Sequence, residues 1–340
     1  MNNSSEMPKQ ISIKDLSDET DKKIDPFSLL ETENRNRLMR AAETNVSILL
    51  TGETGTGKGQ LARAIVEISP KSDLVEVNCA AFPEELLGSE LFGHKKGAFT
   101  GATSDRKGIL QAAADKTVFL DEIGEISPQM QRMLLRVVQR SNRIIKPLGS
   151  DSEIPLQPMR FIFATNRNLE FEVRKGTFRE DLLRRIDVVS VSIPPLRERP
   201  ELIPGYIGAF VASLSEVHRI KCEKIDQDAL TFLIGHRWSG NVRELKNAIE
   251  RALVTAPRPQ GYVESLGIRD FKIETSNLER PVLKSLADTE SDHIKKAIKF
   301  TSGNLVKTMK VLGLSSRSAL YGRLKKYNID VELAGIQEEE

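Results

Sequence analysis

Gly52-Glu53-Thr54-Gly55-Thr56-Gly57-Lys58 has the spacing Gly-x-x-x-x-Gly-Lys and stands between an apolar run and a helical pattern. Glycines in such a loop let backbone N–H groups turn inward around phosphates. The helix that follows adds positive potential, and Lys58 reaches the outer phosphates. Gly59 stands where the motif has Ser or Thr, so no hydroxyl is available there to ligate Mg2+. A second element is the run Val118-Phe119-Leu120, which ends in Asp121 and Glu122. There Asp121 comes near a metal and Glu122 can polarise an attacking water. Thr165 and Asn166 close a further apolar run, placed to sense the last phosphate or to orient the water. Asn78 ends another, where it could hold Glu122 inactive until needed. Arg179, Arg184 and Arg185 crowd one stretch. Arginine stabilises charge on a transferring phosphoryl group, often from a neighbouring subunit, whereas surface pairing is the alternative for the same residues. Arg243 is placed to report nucleotide state, or else to cap or pair structurally.

These residues need a scaffold that brings several strand ends together. Apolar runs at residues 46–50, 74–77, 117–120, 161–164 and 188–191 alternate with helical patterns such as residues 129–139. Short apolar strands separated by helices imply an α/β fold with a parallel sheet covered on both faces. That subdomain is expected over residues 27–195, after a polar tail at 1–26. Strand signals vanish over residues 196–256, which read as a small helical lid. Pro257, Pro259 and Gly261 break the pattern, and residues 257–286 read as a linker. Between the two chemical elements lies Gly97-Ala98-Phe99-Thr100-Gly101-Ala102, set among His94, Lys95, Lys96 and Thr103, Ser104, Asp105. Its glycines disfavour regular structure, so it reads as a mobile, exposed loop.

The chain has 340 residues, enough for two or three domains, with 39% hydrophobic and 29% charged residues, ordinary for a soluble globular protein. Two cysteines, Cys79 and Cys222, make no disulfide framework. No run approaches the ~20 apolar residues of a membrane helix and the start lacks a secretion signal, so a cytoplasmic protein is expected. The four histidines are scattered without ligand spacing. Net charge is only +2, but it is segregated: residues 293–329 contain no Asp or Glu. They do contain Lys295, Lys296, Lys299, Lys307, Lys310, Arg317, Arg323, Lys325 and Lys326, which points to a polyanion. Residues 287–329 read as a small all-α helix–turn–helix domain, with Ser315 or Ser316 capping the last helix. Arg317, Ser318, Tyr321 and Lys325 would enter the major groove, and Leu320 and Leu324 would face a small core; the alternative is a solvated basic helix. An acidic tail, 330–340, follows.

Over residues 49–329 the chain resembles the AAA+ activators of sigma-54 RNA polymerase, the bacterial enhancer-binding proteins. The most specific mark is Glu90-Leu91-Phe92-Gly93-His94-Lys95-Lys96 continuing into residues 97–102, which is similar to that family's sigma-contacting loop. The resemblance implies an AAA+ P-loop ATPase with a helical lid, ATP and Mg2+ as cofactors, and enhancer DNA and sigma-54 holoenzyme as partners. Nucleotide would lie on residues 52–59, Thr165, Asn166 and Arg243. Asp121, also the metal ligand, and Glu122 would carry hydrolysis, with Asn78 as switch partner. Arg179 and Arg185 would act in trans, so a ring is expected, as a homo-oligomer from dimer to hexamer or mixed with a related subunit. Gly97, Ala98, Phe99, Thr100, Gly101 and Ala102 would form the sigma-54 contact, with Phe99 and Thr100 at the tip. Residues 303–327 resemble the family's Fis-type DNA-binding domain. Departures are Gly59 in place of Glu, Ser239 in place of Pro at the lid helix start, and Thr308-Met309 in place of an Ala pair. The residues before the ATPase are too few for the family's N-terminal regulatory domain, so its absence and control by a separate regulatory protein are expected. A DNA-bound regulator with a degraded ATPase is the alternative function.

Overall fold

The computed structural model describes residues 9–16, 25–70, 73–139, 143–257 and 261–273. It further describes residues 290, 293–294, 297–298, 301, 304–314 and 316–327, the side chain of Arg317 excepted. Two compact units divide between Ile273 and Glu274.

In the first unit five parallel strands form one sheet: β1 (Ile48–Thr51), β2 (Leu74–Asn78), β3 (Thr117–Asp121), β4 (Arg160–Thr165) and β5 (Val189–Ser192). Their order is β5-β1-β4-β3-β2. Successive side chains leave a strand on opposite faces. Ile48, Leu50, Ile162 and Ala164 therefore pack in one cluster with Leu61 and Ile65 of the helix Lys58–Glu67. Leu49, Leu120, Phe161 and Phe163 join the other, with Leu134 and Val137 of the helix Pro128–Val138. Covered faces on both sides explain why the runs are continuously apolar instead of alternating. Because the strands are parallel, their C-terminal ends share one edge, and the loops leaving that edge begin with Gly52, Cys79, Glu122, Asn166 and Ile193.

The lid is built on helices Ile203–His218, Gln227–Gly235 and Asn241–Thr255. Trp238 is fully buried at its centre, with its indole N–H donating to the Leu233 carbonyl at 2.8 Å. Three expectations are corrected here. Residues 10–16 are not tail: Gln10–Ser12 pairs antiparallel with Lys224–Asp226, and Ile13 is buried. The lid is not purely helical, since Lys221–Cys222 also pairs with Tyr262–Val263. Residues 261–273 are not linker, because Val263, Leu266 and Phe271 are buried in the lid core. In each case a few apolar residues sit among charged ones, too sparse for a periodic signal, and tertiary packing decides their place. The rest of the expected tail and linker, residues 1–8, 17–24, 258–260 and 274–286, lies outside the described residues.

In the second unit, Asn304 and Ser316 cap helices Leu305–Val311 and Arg317–Lys326, accepting from the Lys307 and Ala319 N–H groups. Ile294, Ile298, Leu320 and Leu324 form its small core, so the two leucines face inward as their spacing implies. Thr308 is buried there and donates to the Asn304 carbonyl at 2.9 Å. Ser315, Lys295, Lys296, Lys299 and the acidic tail lie outside the described residues.

Candidate active site

The glycine loop leaves β1 after Thr51 and ends at Gly57, which precedes the helix beginning at Lys58. Lys58 is buried, 6% exposed, and its Nζ donates to the carbonyls of Gly52 at 2.9 Å and Glu53 at 3.2 Å. Burial pushes the Lys58 ammonium down from its ordinary range, and the Glu122 and Asp121 carboxylates oppose that shift. A buried ammonium thus lies within the field of both acids at the end of β3. Thr56 closes the loop on itself, its hydroxyl donating to the Glu53 carbonyl at 2.8 Å.

Asp121 is the last residue of β3, and its Oδ1 accepts from the Glu122 N–H at 3.0 Å. Glu122 takes the left-handed conformation, φ +53°, which turns the chain sharply at the sheet edge. Its Oε2 is buried without a hydrogen-bond partner among the described residues. Leaving such an acceptor unpaired costs about 1–3 kcal/mol, a cost typical of sites built for a ligand or a reaction. Thr165 is buried and accepts from the Arg167 N–H at 3.0 Å, and Asn166 Nδ2 donates to Thr54 Oγ1 at 3.1 Å. Asn166 thus touches the glycine loop directly. Asn78 lies opposite Asp121 in the β2–β3 register, but its Oδ1 accepts from the Ala80 N–H at 2.9 Å and caps the turn Cys79–Ala81. No Asn78–Glu122 hydrogen bond is made among the described residues; the cap engages only the asparagine Oδ1 and leaves its Nδ2 to donate elsewhere.

The lid meets the glycine loop through residues that the sequence reading passed over. Asn241 is completely buried: its Nδ2 donates to Glu53 Oε2 at 3.2 Å and to the Thr54 carbonyl at 3.0 Å, and its Oδ1 accepts from the Leu196 N–H at 2.8 Å. Arg197 grips the same carboxylate with two bonds of 2.7 and 2.8 Å. Hydrogen bonds from Arg197, and then Asn241, hold the Glu53 carboxyl down to about 2. Gly55 is required by this approach, since a Cβ there would lie 2.2 Å from the Gly240 carbonyl oxygen. Arg243 donates through its backbone to the Gly55 carbonyl at 3.4 Å; its exposed side chain is close enough to lower Lys58 further. Ser239 does not leave the lid helix start unsupported, because Glu244 accepts from the Gly240 N–H at 2.7 Å.

The arginine stretch stands apart from this cluster. Arg179 precedes the helix Glu180–Ile186, forms a bidentate pair with Asp181 at 2.7 and 2.9 Å, and is half-buried. Arg184 pairs with Glu180, whereas Arg185 is exposed and has no ion pair among the described residues. None of the three contacts the glycine loop of its own chain. Residues 97–102 form a compact turn, the Gly97 N–H donating to the Ala102 carbonyl at 2.8 Å, with Gly97 and Gly101 at φ +85° and +99°. The Phe99 ring is not held free: it meets His94 edge-on at 5.0 Å and is half-buried, so Thr100 is the exposed tip. Its base is the pairing of Gly93–His94 with Arg106–Lys107, braced by Lys95 and Asp105 at 2.6 Å. In the second unit Ser318, Tyr321 and Lys325 are exposed on one helix, while Glu290 holds Arg323 and Tyr327. The Arg317 side chain lies outside the described residues.

A five-stranded parallel sheet with a glycine loop on its edge and a helical lid closed onto that loop defines an AAA+ domain. The Sigma-54 interaction domain family matches residues 29–192 and the AAA+ ATPase lid domain family matches residues 197–277. The solved structure of NtrX from Brucella abortus in complex with ATP is 30% identical, with a TM-score of 0.64 over 92% of this chain and 71% of that one. Regulatory protein AtoC of Escherichia coli K12 is 40% identical over 301 residues, 86% of this chain and 64% of AtoC. Transcriptional regulatory protein GlrR of the same strain is 38% identical over 292 residues, 85% of this chain and 64% of GlrR. The chain belongs to the sigma-54-interacting AAA+ family. It spans somewhat less than two thirds of the length of these curated relatives.

Proposed function

We propose that the chain is an ATP-hydrolysing transcription activator that remodels sigma-54 RNA polymerase from the closed to the open promoter complex. The observation that carries this reading is the buried Lys58 ammonium within the field of Asp121 and Glu122, at the sheet edge of a sigma-54-interacting AAA+ domain. ATP lies on residues 52–59, where Lys58 exchanges its bonds to the Gly52 and Glu53 carbonyls for phosphate oxygens. Binding of ATP and ADP by NtrX supports the nucleotide assignment.

Among the described residues no group of three or more His, Cys, Asp or Glu could hold a metal ion by itself. That fits Mg2+, which needs only one or two carboxylates besides phosphate oxygens and water. Asp121 is the residue to hold it, and the ion supplies charge neutralisation at the phosphates. Glu122 orients the attacking water through the buried Oε2, which has no other partner. Asn166 reports the last phosphate to the glycine loop through Thr54. Asn78 becomes the switch partner of Glu122 by donating from its Nδ2, since the Ala80 N–H engages only its Oδ1.

Arg179 and Arg185 complete the site of a neighbouring subunit, so the active form is a ring, a hexamer of this chain or a mixed ring with a related subunit. Exposure of Arg185, with no ion pair among the described residues, supports that role. Thr100 at the tip, backed by Phe99, contacts sigma-54. Residues 287–329 bind enhancer DNA through Arg317, Ser318, Tyr321 and Lys325. The test is open-complex formation on a sigma-54 promoter with purified protein, sigma-54 polymerase and ATP. Activity lost in Thr100→Ala, with ATPase kept, is the expected result. A variant as active as the parent would remove the loop from the mechanism.

A further inference from the structure

Gln131 lies in the first turn of the helix Pro128–Val138. It is 1% exposed, and every bond it makes joins two parts of the chain that the proposed mechanism uses separately. Its Nε2 donates to the Ile126 carbonyl at 3.0 Å and to the Thr177 carbonyl at 3.0 Å. Its Oε1 accepts from the Arg179 N–H at 2.8 Å. Ile126 ends the short turn Ile123–Glu125 that follows Glu122, itself tied back by the Glu125 N–H donating to the Glu122 carbonyl at 3.0 Å. Thr177 and Arg179 flank Phe178, which is buried, and Arg179 begins the helix that carries Arg185. One buried amide thus locks the turn after Asp121-Glu122 to the segment that aims the arginines. A weaker, exposed path runs alongside: Arg167, two residues after Thr165, pairs with Glu125 and lies 3.9 Å from Glu172, which accepts from Thr177.

We propose that Gln131 is a positioning residue that sets Arg179 and Arg185 for the neighbouring subunit according to the state of its own subunit's Glu122 turn. This rests on the ring ATPase reading above. The physical ground is that a buried amide with all three bonds made is stiff, since breaking any one leaves a backbone group unpaired in a dry interior. A shift of the Glu122 turn therefore drags the Arg179 N–H with it. Misplacement of about 1 Å in such a group costs on the order of a hundredfold in rate.

The test uses the full chain with Gln131→Met, which keeps length but removes the bonds. Expected are an affinity for a fluorescent ATP analogue near that of the parent and a fall in kcat of about ten- to a hundredfold. The discriminating step mixes it with Glu122→Gln subunits, which cannot hydrolyse but keep correctly aimed arginines. If Gln131 acts on the neighbour, the mixture regains turnover, as a mixture of Arg179→Ala with Glu122→Gln does. If the Arg179→Ala mixture recovers and the Gln131→Met mixture does not, Gln131 serves its own site and the proposal falls. If neither recovers, the trans-acting arginine reading fails and takes this proposal with it. Should Gln131→Met lose analogue binding altogether, Gln131→Asn, which keeps the amide but is too short to span both sides, is carried through the same mixtures and the same outcomes decide.

Discussion

Asn241→Ala is the change that most directly tests whether the lid is fastened to the glycine loop as described. The side chain is completely buried and makes three hydrogen bonds, to Glu53, to the Thr54 carbonyl and from the Leu196 N–H. Removing it strands one buried backbone donor, the Leu196 N–H, at about 1–3 kcal/mol, whereas the Thr54 carbonyl is only partly buried and costs less. The bond to Glu53 is partly solvated, because that side chain is 44% exposed, and contributes little by comparison. Asn241 also sits at φ +54°, where asparagine is tolerated and alanine costs roughly a further 1 kcal/mol. Asn241→Ala is therefore expected to destabilise the first unit by roughly 2–4 kcal/mol. Asn241→Gly loses the same bonds but not the backbone term, and should be milder by roughly 1 kcal/mol despite its own unfolded-state entropy. Urea unfolding followed by the fluorescence of Trp238, three residues away and fully buried, reads both values. A cost below about 1 kcal/mol for Asn241→Ala would refute the reasoning, because an orphaned buried donor added to left-handed backbone strain cannot be that cheap.

Glu53, held down to about 2 by Arg197 and Asn241, stabilises the folded protein fully above its ordinary value of 4.5, and that contribution is lost as pH falls through about 2. Glu53→Gln should therefore be less stable than the parent at pH 7 and converge with it on acidification; a gap that stays constant down to pH 3 would exclude the pair as the cause. Gly59 faces Phe119 with room for a Cβ at 3.9 Å, so Gly59→Glu should fold normally. It is expected to lower the Mg2+ concentration needed for half-maximal ATPase, and superimposable titrations would remove Gly59 as a weakness of the site.

How the sheet edge is assembled was largely legible because its signals are local. The glycine spacing, the acids closing β3 and the Thr-Asn pair closing β4 each lie within a few residues of a strand whose apolar run is unmistakable, and parallel pairing then gathers those ends automatically. What escaped the sequence is of a different kind. Asn241, Arg197 and Gln131 are polar residues whose roles consist of meeting backbone or side-chain groups far away in the chain, at separations such as Asn241 to Thr54, Arg197 to Glu53 or Gln131 to Thr177. No periodicity marks them, since one buried polar side chain in a helix looks like one more residue of its solvent face. The same blindness explains why residues 10–16 and 261–273 read as tail and linker, although Ile13, Val263, Leu266 and Phe271 complete the lid core. Asn78 shows the converse limit: its place at the end of β2 was legible, but its partner was not, because the Ala80 N–H is two residues away and Glu122 must be reached across the sheet edge.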